Sequence, residues 1–232
     1  MRRPLAVGVV AVVLAVLVAA MTWWLLRPSD GAPDERPPLH RGETYGIDVS
    51  SHQGTIDWER VVRDDIAFAY IKASEGGDFV DARFRENWAG AKAAGVARGA
   101  YHFFTLCRRG GEQAEQFLRV APAEAGALSP AVDLELIGNC AARPEPASVA
   151  AELRVFLTRV EAAWGRSVLL YVGDEWERRY PVLRTSDRPR WVKASGRPAP
   201  PWVVWQRRAL ADVDGVTGPV DLDVARLAEL NR

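Results

Sequence analysis

The sequence predicts an α/β fold, a truncated parallel barrel, preceded by an N-terminal helix long enough to cross a membrane. Three observations predict it. From Tyr45 onward, short apolar runs alternate with amphipathic stretches, the rhythm of βα units. After residue 173 the helical signals fade, and Pro181, Pro189, Pro198, Pro200 and Pro201 interrupt the chain. Ahead of both lies Leu5–Leu26, a run without a charge, between Arg2-Arg3 and Arg27.

That run of about 22 residues would make a helix about 33 Å long at ~1.5 Å per residue, enough to span the hydrocarbon layer. A cleaved secretory signal is the alternative, with Ala19-Ala20 as its small-residue site. Trp23-Trp24-Leu25-Leu26 carry the apolar run past that site, and tryptophans suit the membrane interface. Residues 1–27 are therefore expected to be a retained transmembrane anchor. Either reading sends the rest of the chain out of the cytoplasm, to a periplasmic or extracellular location, secreted if the segment is cleaved. Residues 28–44, with Pro28, Pro33, Pro37 and Pro38 among polar residues, read as a semi-extended linker.

The globular part is expected over 45–232. Its strand candidates are Tyr45–Ser50, Ile66–Ala73, Ala97–Phe104, Pro130–Leu136, Ser167–Val172, Arg190–Lys193, Trp202–Gln206 and Val220–Asp223. Between the fourth and fifth, Val149, Leu153, Phe156, Val160 and Trp164 fall on one helical stripe. Phe84, Trp88 and Ala91 mark an earlier helix, and Ala114, Phe117 and Leu118 another. A full eight-helix barrel takes ~250 residues, which this domain does not reach, so truncation is expected. A doubly wound open sheet is the alternative, but no glycine-rich phosphate loop favours it.

The 30 basic and 30 acidic residues give a net charge of zero, which excludes the basic field of a nucleic-acid binder. In a parallel barrel, reactive groups gather where strands end. Charged residues end apolar strands at four places: Asp48, Glu75, the pair Asp133 and Glu135, and Asp221. Residues i and i+2 of a strand share a face, ~6.5–7 Å apart, so Asp133 and Glu135 would point into one cleft. There the first charge raises the pKa of the second, leaving a proton donor beside an anion. Glycosidic cleavage requires that arrangement. A solvated surface strand is the bland alternative for an isolated Asp-x-Glu; the apolar Ser129-Pro-Ala-Val132 run before it favours burial.

The segment Tyr45-Gly-Ile-Asp-Val-Ser-Ser-His-Gln-Gly54, with Ile56-Asp57-Trp58, resembles the opening of glycoside hydrolase family 25 lysozymes. So do Tyr70-Ile-Lys-Ala-Ser-Glu-Gly76, Asn87-Trp88 and Gly99-Ala-Tyr-His-Phe-Phe104. Asp133-Leu-Glu135, Trp205-Gln206 and Gly218-Pro-Val-Asp-Leu222 follow in the same order. The resemblance spans about residues 45–225. It implies a muramidase on a TIM-like (β/α)5β3 barrel, cleaving the β-1,4 bond between N-acetylmuramic acid and N-acetylglucosamine in peptidoglycan glycan strands. It implies Glu135 as general acid/base, and Asp133 as the group that steadies the anomeric positive charge or orients the N-acetyl group. Asp48 and Asp221 would line and tune the same pocket. Retention with participation of the N-acetyl group belongs to the same implication.

Glu75, Tyr101, Tyr171, Trp205 and Gln206 are candidate substrate contacts. For Glu75 an ion pair with Lys72 is the other reading, and for the two tyrosines a core role. His52 and His102 read as hydrogen-bonded structural residues, and no metal or cofactor is expected. Cys107 and Cys140 follow neighbouring strands, so a disulfide is plausible outside the cytoplasm; two free thiols are the alternative. Departures from the family pattern are Arg207, where Tyr is frequent, and Asp223, where Val-Asp-Leu-Asn commonly closes the domain. Both bear on the late strands. A monomeric catalytic domain is expected, with a silent peptidoglycan-binding module or another substrate-assisted N-acetylhexosaminidase as rival functions.

Overall fold

A computed structural model describes residues 36–230. Leu5–Leu26 lies outside them, and among the described residues no helix is long and apolar enough to cross a membrane. The folded unit begins at Pro38. Arg197 holds this entry segment to the domain, donating to both oxygens of Glu43 at 2.7 and 2.8 Å and to the Pro38 carbonyl at 2.6 Å.

Five βα units open the domain. They are β1 (Thr44–Val49) with α1 (Trp58–Arg63), and β2 (Ile66–Glu75) with the short hairpin strand β3 (Phe79–Val80) and α2 (Phe84–Ala93). Next come β4 (Ala97–Phe103) with α3 (Gly110–Val120), β5 (Ala131–Leu134) with α4 (Pro146–Trp164), and β6 (Leu169–Val172) with α5 (Asp174–Arg179). Then β7 (Arg190–Ala194), β8 (Val204–Ala211) and β9 (Val220–Ala225) follow with no helix between them, and α6 (Leu227–Leu230) ends the described chain. β1 pairs in parallel with β2 and antiparallel with β9, so the sheet closes and the open-sheet alternative is excluded. The eight barrel strands run β1-β2-β4-β5-β6-β7-β8-β9, all parallel except β9.

The pleat divides each strand between two cores. Phe68, Tyr70, Leu169, Tyr171, Trp191 and Val204 fill the barrel interior. Ile47, Ile71, Val132, Leu170 and Leu222 face outward, where Phe117, Phe156, Trp164 and Trp176 cover them from the helices. The large interior rings fit because glycine lies opposite: a Cβ on Gly46 or Gly99 would come within 2.3 Å of the Phe68 or Tyr70 ring. The α4 stripe is the expected one, with Val149, Leu153, Phe156, Val160 and Trp164 all buried. Its Pro146 start and left-handed Gly165 end are ordinary helix punctuation. Where the last strands lack helices, Trp202, Trp205 and Val224 form a separate outer cluster. Arg197 and Arg226 lie over the Trp202 ring at 5.9 and 4.2 Å.

Candidate active site

At the C-terminal mouth of the barrel a cavity of about 220 Å³ opens. Its wall contains Asp48 from β1, Tyr101 from β4, Asp133 and Glu135 from β5 and the loop after it, Tyr171 from β6, Gln206 from β8 and Asp221 from β9. Inward pleat parity and strand-end position bring these seven side chains together. Two other candidates lie elsewhere. Trp205 neighbours Gln206 and so points the opposite way, only 2% exposed, its Nε1 donating to the Ala194 carbonyl at 3.0 Å. Glu75 sits outside the cavity and accepts a 2.7 Å ion pair from Lys72. Lys72 in turn lies over the Phe79 and Phe103 rings.

Hydrogen bonds connect the cavity wall. The Tyr171 hydroxyl lies 3.0 Å from Glu135 Oε1 and 3.2 Å from Gln206 Oε1. Gln206 Nε2 donates to Asp48 Oδ2 at 2.6 Å. Burial pushes the Asp133 carboxyl well above the ordinary carboxylate range, and the neighbouring Glu135 and Asp48 push it further. Burial raises Asp48 in the same way, helped by Asp221, and burial raises Asp221 against the pull of Lys193. Asp133 Oδ1 is buried without a protein hydrogen-bond partner.

Behind this layer stand residues that sequence reasoning missed. Trp191 and Lys193, i and i+2 on β7, share the inward face and line the cavity; the alternation was a readable signal. Gly173 packs on Glu135, since a Cβ there would meet Glu135 Cγ at 3.2 Å. Asn139 ties the loops after β4 and β5. Its Nδ2 donates to the Phe104 and Glu135 carbonyls at 2.8 and 2.9 Å, and its Oδ1 accepts from the Leu106 and Cys140 amides. Beside it, Cys107 and Cys140 form a disulfide with a Cα–Cα distance of 6.2 Å, so the free-thiol alternative is excluded. His52 and His102 are hydrogen-bonded, His102 between Ser74 and Gln113 in the fully buried outer layer. A second depression of about 420 Å³ adjoins the cavity across Glu135, lined by Ile137, Arg178 and Arg190 among others.

A closed barrel with clustered carboxyls at its C-terminal mouth is the architecture of a glycoside hydrolase. Residues 47–215 match the model for glycosyl hydrolases family 25, and the chain belongs to that family. Lysozyme M1 of Streptomyces globisporus is 32% identical over 207 residues, covering 82% of this chain and 70% of that protein. A family 25 glycosyl hydrolase structure from Bacillus anthracis superposes with a TM-score of 0.73 at 33% identity, over 82% of this chain and 91% of its own. The structure of a bacterial lysozyme from Streptomyces coelicolor gives 0.72 at 31% identity, over 81% and 94%.

Proposed function

We propose that this protein is a muramidase that hydrolyses the β-1,4 bond between N-acetylmuramic acid and N-acetylglucosamine in peptidoglycan, with Glu135 as its general acid/base. The observation that carries this reading is the Asp133–Glu135 pair at the cavity wall: Glu135 joined to the Tyr171 hydroxyl, and Asp133 beside it with a buried oxygen that has no protein hydrogen-bond partner. Its relatives named lysozyme are consistent with the same substrate.

Glu135 lines both the carboxyl-rich cavity and the larger depression, so the scissile bond would lie across it. Glu135 gives its proton to the glycosidic oxygen as the bond to the anomeric carbon breaks, and the leaving sugar departs with its hydroxyl restored. Positive charge develops at the anomeric carbon among the oxygens of Asp48, Asp133 and Asp221, whose preorganised dipoles and the Asp48 carboxylate would stabilise it. Asp133 meets that charge or the neighbouring N-acetyl group. Water then adds at the anomeric carbon and returns a proton to Glu135. Tyr101 and Gln206 would hold the sugar, Gln206 while also fixing Asp48.

The location follows from the N-terminus. Leu5–Leu26 would anchor the enzyme, the residues between it and Pro38 would space it from the bilayer, since 38–44 belong to the folded unit, and the catalytic domain would work outside the cytoplasm as a monomer. A full-length chain in membrane fractions, protease-accessible from outside, is expected; a mature N-terminus near Met21 would make the segment a cleaved signal instead. The activity itself is tested by incubating the purified protein with peptidoglycan and identifying the new reducing ends. Reducing muramic acid supports the reading, and reducing glucosamine or no cleavage rejects it.

A further inference from the structure

Asp223 is fully buried on β9, in the layer of the barrel interior beneath the cavity. Its Oδ1 accepts a hydrogen bond from Trp191 Nε1 at 2.9 Å. Its Oδ2 is buried and meets no N–H or hydroxyl donor. The groups around it are Asp48 from β1, Asp221 on its own strand, the Tyr70 phenol from β2, Trp191 from β7 and its pairing partner Gln206 from β8. Among the described residues no cation pairs with it. Lys193, the cation of the cavity, acts on Asp48 and Asp221 higher up.

A carboxyl sealed from water with one N–H donor and a neighbouring carboxylate is more stable neutral than charged. Burial and the Asp48 charge both act in that direction here. Asp223 and Asp48 share the inward face of two neighbouring strands, Asp223 opposite Gly46 and Asp48 opposite Asp221, and a hydrogen bond between two such carboxyls requires a proton on one of them. The proton belongs on the deeper partner, because Asp48 receives the Gln206 amide and the pull of Lys193.

We propose that Asp223 is a positioning residue that carries a proton on Oδ2 and uses it to hold the Asp48 carboxylate at the floor of the cavity. It acts through Asp48 and touches no substrate. Its proton count stands apart from the glycosidase reading; only its effect on activity rests on that reading.

The test is the unfolding equilibrium of wild type and Asp223→Asn between pH 5 and 8. A native Asp223 that keeps its proton loses it on unfolding, so the wild-type folding constant falls about tenfold per pH unit relative to the amide variant. The variant's relative stability should rise along that slope until Asp223 itself titrates. A ratio independent of pH overturns the proposal. If Asp223→Asn does not fold, the infrared spectrum of the wild type at pH 7 serves instead. A protonated-carboxyl band should be present and should persist when Asp133→Asn and Glu135→Gln are combined in one variant, and its absence from either protein overturns the proposal. For the positioning role, Asp223→Leu should lower kcat/KM at least tenfold and Asp223→Asn should restore most of it; equal losses in both reject that role. The stability slope in an enzyme whose Glu135→Gln variant stays fully active would reject Glu135 as the proton donor and leave the Asp223 proton standing.

Discussion

The Tyr171 hydroxyl stands between Glu135 and Gln206, 3.0 Å from one and 3.2 Å from the other. Because Gln206 also holds Asp48, a single phenol links Glu135, just past the end of β5, to the carboxyl on β1 across the barrel mouth. Burial and the surrounding carboxylates keep that phenol protonated far into the alkaline range.

Tyr171→Phe keeps the ring in the interior core and removes only the hydroxyl. A hydrogen bond to a charged group contributes ~1.5–3 kcal/mol, so kcat should fall about tenfold or more. Steady-state kinetics beside a thermal melt will separate this from misfolding. A kcat within twofold of wild type would mean the phenol does not orient Glu135.

Gly173→Ala probes the other side of the acid. The backbone there is ordinary, φ −66°, so alanine adds no strain of its own. Its Cβ would press on Glu135 Cγ at 3.2 Å and lie 3.6 Å from Oε1. Glu135 would have to give by a few tenths of an ångström, well short of the ~1 Å that costs about a hundredfold. The expected outcome is a severalfold fall in kcat with a near-normal melting temperature, while unchanged kcat would show that the side chain swings clear.

The Cys107–Cys140 bond closes a separation of 33 residues, for which loop entropy amounts to about 4 kcal/mol. The double Cys→Ser variant should lose about 2–4 kcal/mol in urea unfolding. Asn139 spans the same two loops with its own four hydrogen bonds, so the native cavity should survive the loss at moderate temperature. An unfolding free energy equal to wild type would contradict this role, as would two alkylatable thiols in the native protein.

Asp133 sets a pH dependence. Its folded pKa is raised, so the native state keeps a proton that the unfolded chain gives up above about pH 4. Wild-type stability should therefore fall as pH rises from about 4 toward the folded value. Asp133→Asn removes that titration. Its melting temperature should gain on wild type as pH goes from 4 to 7, even as activity is lost. A constant difference across that range would show that Asp133 is ionised in the native state.

Much of this site was legible because strand parity and strand ends are local properties. Asp48, Asp133 and Asp221 lie on inward positions near one rim, and an apolar run beside a carboxylate marks each. Glu75 and Trp205 lie outside the cavity for physical reasons. A register shift between Lys72 and Ser74 breaks the alternation of β2, and Glu75 ends beside Lys72 rather than over the cavity. Trp205 shares a motif with Gln206, but the pleat admits only one of two neighbours to the interior. With no helix covering β8, the tryptophan is needed outside to complete an apolar cluster with Trp202. Asp223 was noted only as a departure from Asn, because its burial depends on closure between β1 and β9, a pairing of residues far apart in the chain. The short α5 carries a single buried side chain, Trp176, too little to give a periodic signal.

The central claim is that Glu135 is the proton donor to the leaving sugar. Glu135→Gln preserves the shape of the side chain and its contact with Tyr171, and it removes the proton that can be given. General acid catalysis typically contributes ~10²–10⁴ in rate, so release of reducing muramic acid from peptidoglycan should fall by at least a hundredfold. Glycan binding and the thermal melt should stay near wild type. Turnover within a few-fold of wild type in that one assay would contradict the account.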